Sequence, residues 1–422
     1  MHFLLTQRTR KRTLKNDITV SYLGKFFGTA NTMRIIVVTE TFLPHIDGIV
    51  TRLTQTITHL RRMGHDALII APYAEGTPSE FQGAKIVTIP SVSYPKYPDI
   101  RLGLPLLLPS AEREITSFQP DIIHVASPAF VGLGPALSAL RRRVPLVASY
   151  HVQYPEYIQQ YGLGAFTGFV RWYLRTIHNW AKINLATSTQ MAQDLTAHGM
   201  KRVQVWRPGV DAETYHPSMA SAELRNKLTE GHPEDFLLVC VSRLAVEKSI
   251  DRLAPVLRQL TGVRLAIIGD GPARANLEKV FEGLPVIFTG MIKDKNVLAG
   301  AYASADVFAF LSSTETLGLV ALEAMAAGTP VVVAKRGGLP DLVIDNQTGY
   351  LVEPEDVTQI VAAVQTLQQN PALLAAFRSN ARAHAEEYSW SQTTTQLFQY
   401  YIQATQNQKV NHRNKAVSVP AD

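Results

Sequence analysis

Glu315 and Glu323 bracket the run Glu315-Thr-Leu-Gly-Leu-Val-Ala-Leu-Glu323, and they are the pair in this sequence most suited to holding hydroxyl groups. Ionised carboxylates only accept hydrogen bonds, so two of them at one cleft edge match the hydroxyls of a sugar or a ribose. The run follows an apolar strand pattern, Val307–Phe310, and a Ser312-Ser-Thr314 turn. Its spacing predicts a helix over Leu317–Ala327, whose N-terminal amides and dipole favour an anion such as a pyrophosphate. Eight residues of helix make two turns plus about 80°, which places Glu315 at the mouth and Glu323 two turns down, near the same edge. A capping acid plus a solvated helix acid is the structural alternative.

A second constellation, Ser242-Arg-Leu-Ala-Val-Glu-Lys-Ser249, follows the apolar run Phe236–Val241. Arg243 and Lys248 there flank a loop at a strand's carboxyl end, where a phosphate-binding pair is expected. Arginine brings a fork of donors and lysine a mobile point charge. Surface cations paired with Glu247 or Asp251 are the alternative. Gly269, in Gly269-Asp-Gly-Pro272, gives a close-approach turn after another strand. In the first half, Gly48 of Asp47-Gly-Ile49 follows the first strand, where a glycine lets backbone approach a phosphate; a plain tight turn explains it as well. His151 ends the strand Leu146–Tyr150 and is read as projecting into the cleft, with a satisfied core histidine as the alternative. His124 lies within an apolar run and reads as structural.

These residues need elements to position them. From Met33 strands and helices alternate, which is the pattern of a parallel sheet covered on both faces. Expected strands are Ile35–Thr39, Ala67–Ala71, Ile122–Val125, Leu146–Tyr150 and Ile183–Thr187, with a helix over Val50–Met63. The rhythm breaks at Gly209–Pro217 and restarts with Leu237–Val241, Arg264–Ile268, Val286–Phe288, Val307–Phe310 and Val331–Val333. The fold class is therefore α/β, with two Rossmann-like doubly wound domains facing each other across a cleft. The expected divisions are a disordered basic extension (1–32), an N-terminal domain (33–212), a C-terminal domain (213–388), a terminal helix (389–405) and a tail (406–422). A length of 422 residues suits two domains of roughly 180–200 residues.

Composition narrows the class. The single cysteine, Cys240, excludes an intrachain disulfide framework and fits a reducing, cytosol-facing location. No apolar run reaches the roughly 18 residues needed to span a bilayer, so membrane contact is expected to be peripheral. Residues 33–215 carry 17 basic against 13 acidic residues, and residues 216–404 reverse this to 15 against 20. A basic first half would suit an anionic membrane surface, scattered solvated charge being the alternative. A helix over Ala165–Lys182 puts Phe166, Phe169, Val170, Tyr173, Leu174 and Ile177 at core spacing. Arg171, Arg175, His178 and Lys182 fall on another face, either a lipid-facing stripe or a solvated one. No G-x-G-x-x-G follows the first strand, no G-x-x-x-x-G-K-[ST] occurs, and there is no Asp-x-Asp or His/Cys cluster. Neither a dinucleotide cofactor nor an obligatory metal is expected.

Ser242–Ser249, Gly269–Pro272 and Glu315–Glu323 with Ala324-Met-Ala-Ala-Gly-Thr-Pro330 resemble the retaining GT-B glycosyltransferases of family 4. The likeness spans about residues 33–395. Glu40–Arg52 and Ser149–Pro155 extend it to the sulfolipid-forming members of cyanobacteria and chloroplasts. The resemblance implies a UDP-sugar donor, a diacylglycerol or other lipid acceptor, no nucleic acid, and work on the cytoplasmic side of a thylakoid or plasma membrane. It puts Arg243 and Lys248 on the diphosphate and Glu323 on the ribose. Glu315 and the backbone of Thr316, Leu317 and Gly318 lie near the sugar, His151 near its C6 region, and the Gly48 loop against the phosphates. The catalytic set is then Arg243, Lys248, Glu315 and His151. A charged sulfonate at C6 would need cation or donor partners, for which His151 and Arg207 are the candidates. The chain has Asp47-Gly48 where many members have Gly-Gly, and Tyr150-His-Val-Gln153 where sulfolipid enzymes often have Tyr-His-Thr-His. Glucose or mannose transfer from UDP-glucose or GDP-mannose, to a lipid or a soluble acceptor, is the alternative.

Overall fold

The computed structural model describes residues 32–94, 97–103, 109–152, 154 and 164–416. The readings of the leader, apart from its last residue, and of the extreme C-terminus fall outside these residues.

The first half builds a sheet from β1 (Arg34–Thr39), β2 (Asp66–Pro72), β3 (Glu80–Phe81), β4 (Ala84–Ile89), β7 (Ile122–Ala126), β8 (Leu146–Tyr150), β9 (Ile183–Ala186) and β10 (Val203–Val205). Between β4 and β7, a separate hairpin pairs β5 (Ser91–Tyr94) with β6 (Tyr97–Gly103). The sheet order is β10-β9-β8-β7-β1-β2-β4-β3, parallel except for the short β3–β4 edge. The central strands are unbroken apolar runs because helices cover both of their faces. The second half repeats the plan with β11 (Phe236–Val241), β12 (Val263–Ile268), β13 (Val286–Gly290), β14 (Val307–Phe310), β15 (Val331–Ala334) and β16 (Gly349–Val352). Its order, β13-β12-β11-β14-β15-β16, is parallel throughout. Each sheet reverses its order once, between β1 and β7 and between β11 and β14. At such a switch point the loops leaving adjacent strands part and open a crevice.

Four helices bear on the site: α1 (Gly48–Arg62), α2 (Thr167–Trp180), α3 (Leu319–Ala326) and α4 (Trp390–Ala416). All four differ from expectation: α1 starts at Gly48 instead of Val50, with Asp47 as its cap. α3 starts at Leu319 instead of Leu317, because Gly318 sits at φ +65°, outside the helical region. Glu315 is thus in the preceding loop and the two-turn offset between the glutamates does not apply.

α2 buries Thr167, Leu174, Ile177 and His178, whereas Phe166 and Phe169 are exposed and drop out of the expected core set. Its apolar arc is wider than the face the sheet can cover. His178 leaves the cationic stripe because its Nδ1 hydrogen-bonds Asn184 at 2.8 Å inside the core.

α4 runs on to Ala416, past the expected end at 405, and returns to the first half. Leu397, Tyr401 and Ala404 pack there with Ile35, Leu53, Val147 and Trp206. The chain therefore crosses between the halves twice. The crossings are tied where the Val210 amide donates to the Tyr388 carbonyl at 2.7 Å and Gly209 lies against Trp390.

Candidate functional site

The loops leaving β11 and β14 at the second switch point hold the phosphate and sugar candidates. After β11 the chain makes a single 3₁₀ turn, Val246–Lys248, and Ser249 follows at φ +51°. That turn swings Lys248 across to the β14 loop, where its Nζ donates to Glu315 Oε2 at 2.9 Å. The other oxygen of Glu315 accepts the amides of Gly318 (3.0 Å) and Leu317 (3.3 Å). Burial alone would raise this carboxyl's pKa. The Lys248 charge and hydrogen bond, with the two amides, hold it below the usual value. Arg243 lies on the rim of the same loop and pairs with Glu247, the surface pairing weighed from the sequence.

Two glycines let these loops come together. Gly269 (φ +141°) packs so tightly that a Cβ would stand 1.9 Å from the Ser242 carbonyl oxygen. Gly337 (φ +62°) does the same beneath Glu315, at 2.1 Å from its carbonyl oxygen. Any side chain at either position must displace the loop that carries Lys248 or Glu315.

Glu323 lies within α3. Its Oε2 accepts the Tyr302 hydroxyl at 3.2 Å, and Tyr215 reaches the same carboxyl. Burial pushes its pKa up to about 7 against the lowering effect of both hydroxyls and of Lys295. Tyr215 and Tyr302 were not foreseen, since tyrosines spread over a linker and a helix give no local spacing signal.

From the first half, Gly48 opens α1, whose cap is the Asp47 side chain accepting from the Val50 amide at 2.8 Å. A Cβ at Gly48 would touch Leu319 and Leu317, so this loop lies directly against the β14 loop. His151 is 4% exposed, and its carbonyl accepts the Thr316 hydroxyl at 3.3 Å. Its amide donates to Ser127 Oγ at 2.9 Å. The neighbouring Ala129–Gly132 turn is held by its four amides on the half-buried Glu40 carboxylate, at 2.8–3.2 Å.

Gly48, Lys248, Glu315, Thr316, Leu317 and Gly318 are thus gathered across the cleft, and His151 joins them through its backbone carbonyl, its ring being buried with Nε2 on Ser149 Oγ. Arg207 is placed differently: it lines a cavity of about 730 Å³ at the chain crossings, with Thr187, Asp341 and Tyr388, and shares only the Leu317–Gly338 wall with the β14 loop. Arg52 was missed altogether. It is fully buried on α1, its guanidinium lies 3.5 Å over the Trp206 ring, and its Nη2 donates to the carbonyls of Trp206 (2.6 Å) and Arg207 (3.0 Å). Among the described residues no group of three or more His, Cys, Asp or Glu could hold a metal ion, and no helix is long and apolar enough to cross a membrane.

Comparison with known proteins assigns both halves. Residues 46–214 match the model of Glycosyltransferase Family 4, and residues 222–384 that of Glycosyl transferases group 1. The chain is 38% identical over 359 residues to the sulfoquinovosyl transferase SQD2 of Arabidopsis thaliana, covering 84% of this chain and 70% of the relative. It is 37% identical over 328 residues to a GDP-mannose-dependent alpha-mannosyltransferase of Mycobacterium tuberculosis, covering 76% and 84%. It is 30% identical to an alpha-monoglucosyldiacylglycerol synthase of Streptococcus pneumoniae, covering 76% and 75%. Its fold matches the crystal structure of Anabaena Alr3699/HepE in complex with UDP and glucose. The TM-score is 0.70 at 22% identity, over 87% of this chain and 99% of that one.

Proposed function

This chain belongs to glycosyltransferase family 4, and on that footing we propose that it transfers sulfoquinovose from UDP-sulfoquinovose to diacylglycerol. It is a hexosyltransferase that uses a nucleotide-sugar donor. The observation that carries the finer reading is the 38% identity to a sulfoquinovosyl transferase across a chain that keeps the donor loops assembled, Lys248 on Glu315 and Thr316 on His151. A mannosyl reading from GDP-mannose has its own support in the 37% relative.

In the proposed reaction Arg243, Lys248 and the amides at the start of α3 take up charge on the departing diphosphate. That charge grows toward the transition state, where such preorganised donors act most strongly. Front-face attack by the acceptor hydroxyl, with retention, follows from the family resemblance. The reaction is read as metal-independent. In buffer containing EDTA, UDP release from UDP-sulfoquinovose is expected to require diacylglycerol. Release that ignores diacylglycerol, or that needs added Mg²⁺ or Mn²⁺, would overturn the acceptor or the metal reading respectively.

Glu323 is assigned to the ribose hydroxyls, which has a proton consequence. Its carboxyl, pushed up to about 7 by burial, holds a proton in the folded protein that an ordinary glutamate would release near pH 4.3. The stability gained from that proton is present at low pH and is lost as pH rises through about 7. Ribose hydroxyls donate to the carboxylate and favour its charged form, so UDP binding near pH 6.5 is expected to expel up to one proton. Calorimetry in buffers of different ionisation enthalpy measures this. Proton-neutral binding by wild type, or unchanged release by Glu323→Gln, would remove Glu323 from the ribose.

The lipid acceptor must reach the cleft from a membrane, and α2 is the surface we assign to it. Phe166, Phe169 and Trp172 stand 60%, 61% and 53% exposed, flanked by exposed Arg171 and Arg175. Aromatic rings at headgroup depth with cations beside them suit an anionic bilayer interface. Replacing the three aromatics with alanine is expected to weaken binding to anionic liposomes by about tenfold or more, given the area each ring buries. Turnover in detergent should be unchanged. Equal liposome binding by variant and wild type would dismiss the surface.

A further inference from the structure

A line of buried polar groups leads from α4 to His151. Tyr401 on α4 reaches His124 Nδ1 at 2.8 Å. His124 Nε2 reaches Ser149 Oγ at 2.8 Å, and Ser149 Oγ reaches His151 Nε2 at 2.7 Å. All four side chains are almost wholly buried. Both imidazoles pack edge-on to the Trp206 ring, at 5.8 Å and 5.9 Å, and Arg52 covers that ring at 3.5 Å.

The direction of this line follows from counting protons. The Tyr401 and Ser149 hydroxyls have one proton each, and each neutral imidazole has one N–H. If Tyr401 donates to His124 Nδ1, His124 carries its proton on Nε2 and donates it to Ser149. Ser149 then donates to His151 Nε2, and His151 carries its own proton on Nδ1. Four protons serve three links, so this arrangement leaves one over, the His151 Nδ1–H, at the end of the line whose backbone meets the β14 loop. In any other arrangement the proton left over is that of the phenol or the serine, both 0% exposed in the core, where no ligand can accept it; only at the His151 end can a bound sugar meet it. Both rings are neutral: burial pushes the His124 pKa down to about 3 and that of His151 well below its usual value, and the Arg52 charge acts in the same direction. His151 Nδ1 is the one ring nitrogen of the line without a partner among the described residues.

We propose that Tyr401, His124 and Ser149 are positioning residues that lock His151 as its Nδ1–H tautomer, so that a neutral imidazole presents a hydrogen-bond donor to the transferred sugar. The sugar contact rests on the reading of His151 given above; the lock does not. The fixed tautomer bears on specificity. A sulfonate oxygen only accepts, so an Nδ1–H matches it and an Nδ1 lone pair repels it. A sugar hydroxyl rotates to suit either form. The line therefore selects for an acceptor group at that corner of the sugar, and it runs from a helix that returns from the C-terminal end of the chain.

The test is nitrogen NMR of the full-length protein labelled with ¹⁵N-histidine, read alongside donor kinetics. Wild-type His151 is expected to show a protonated Nδ1 and a lone-pair Nε2, with neither signal moving between about pH 6 and 9, well above a buried ring's pKa. Tyr401→Phe removes one hydroxyl at constant shape and is expected to give mixed tautomers at His151. Ser149→Ala cuts the line and is expected to do the same. In both variants kcat/KM for UDP-sulfoquinovose should fall about tenfold relative to that for UDP-glucose, while UDP affinity stays constant. A wild-type His151 protonated on Nε2, or one whose tautomer is unmoved in both variants, overturns the lock. A tautomer that changes as expected with no change in the donor ratio overturns the sugar contact instead.

Discussion

Lys248→Ala is expected to lower kcat by about 10²–10³-fold while KM for the donor changes far less, the usual cost of removing one preorganised group that meets charge at the transition state. The geometry explains why the loss should be this large. Lys248 is held by a 3₁₀ turn and an αL serine, which fix where its ammonium group stands. It is also the charged partner of Glu315, whose carboxylate anchors the amides of Leu317 and Gly318. Removing the lysine leaves a half-buried carboxylate without its cation and loosens the loop at the start of α3. Lys248→Arg separates the two roles. It keeps the charge near Glu315 but changes its shape, so it should recover part of the rate without restoring it. Single-turnover measurements with saturating donor check both variants. A Lys248→Ala enzyme turning over at the wild-type rate would end the assignment of this residue to the diphosphate.

Much of this arrangement was legible in the sequence because it depends on local rules. Unbroken apolar runs such as Phe236–Val241 and Val307–Phe310 can only be strands covered on both sides, and the loops that leave them carry Arg243, Lys248 and Glu315 in register. What stayed hidden depends on distant contacts. Arg52 sits within the helical pattern of α1 as an ordinary surface arginine would, and only Trp206, 154 residues away, buries it. His124 meets Tyr401 across 277 residues, because α4 returns to the first half after the second domain is complete. α2 was misjudged for a related reason. Periodicity identified the helix, but its aromatic residues span more of its circumference than the sheet covers, so the period alone did not say which of them face out. The helix start at Leu319 turned on the αL conformation of Gly318, where Leu342 and Leu339 leave no room for a side chain.

Donor choice is where the second large effect is expected, and it tests the sulfolipid reading itself. A sulfonate is a fixed charge, and losing its partners costs roughly 2–4 kcal/mol of transition-state binding. A pocket built for it should therefore favour UDP-sulfoquinovose over UDP-glucose by about a hundredfold or more in kcat/KM. His151→Ala should erode that ratio. Arg207→Ala should do so only if the cavity at the chain crossings opens onto the sugar on closure of the halves. GDP-mannose adds a second contrast, because a mannosyltransferase is 37% identical to this chain. The decisive measurement is one reaction holding diacylglycerol vesicles with equal concentrations of UDP-sulfoquinovose, UDP-glucose and GDP-mannose, its lipid products resolved by mass. Sulfoquinovosyldiacylglycerol as the dominant product is the predicted result, and a dominant glucosyl or mannosyl lipid would contradict the account.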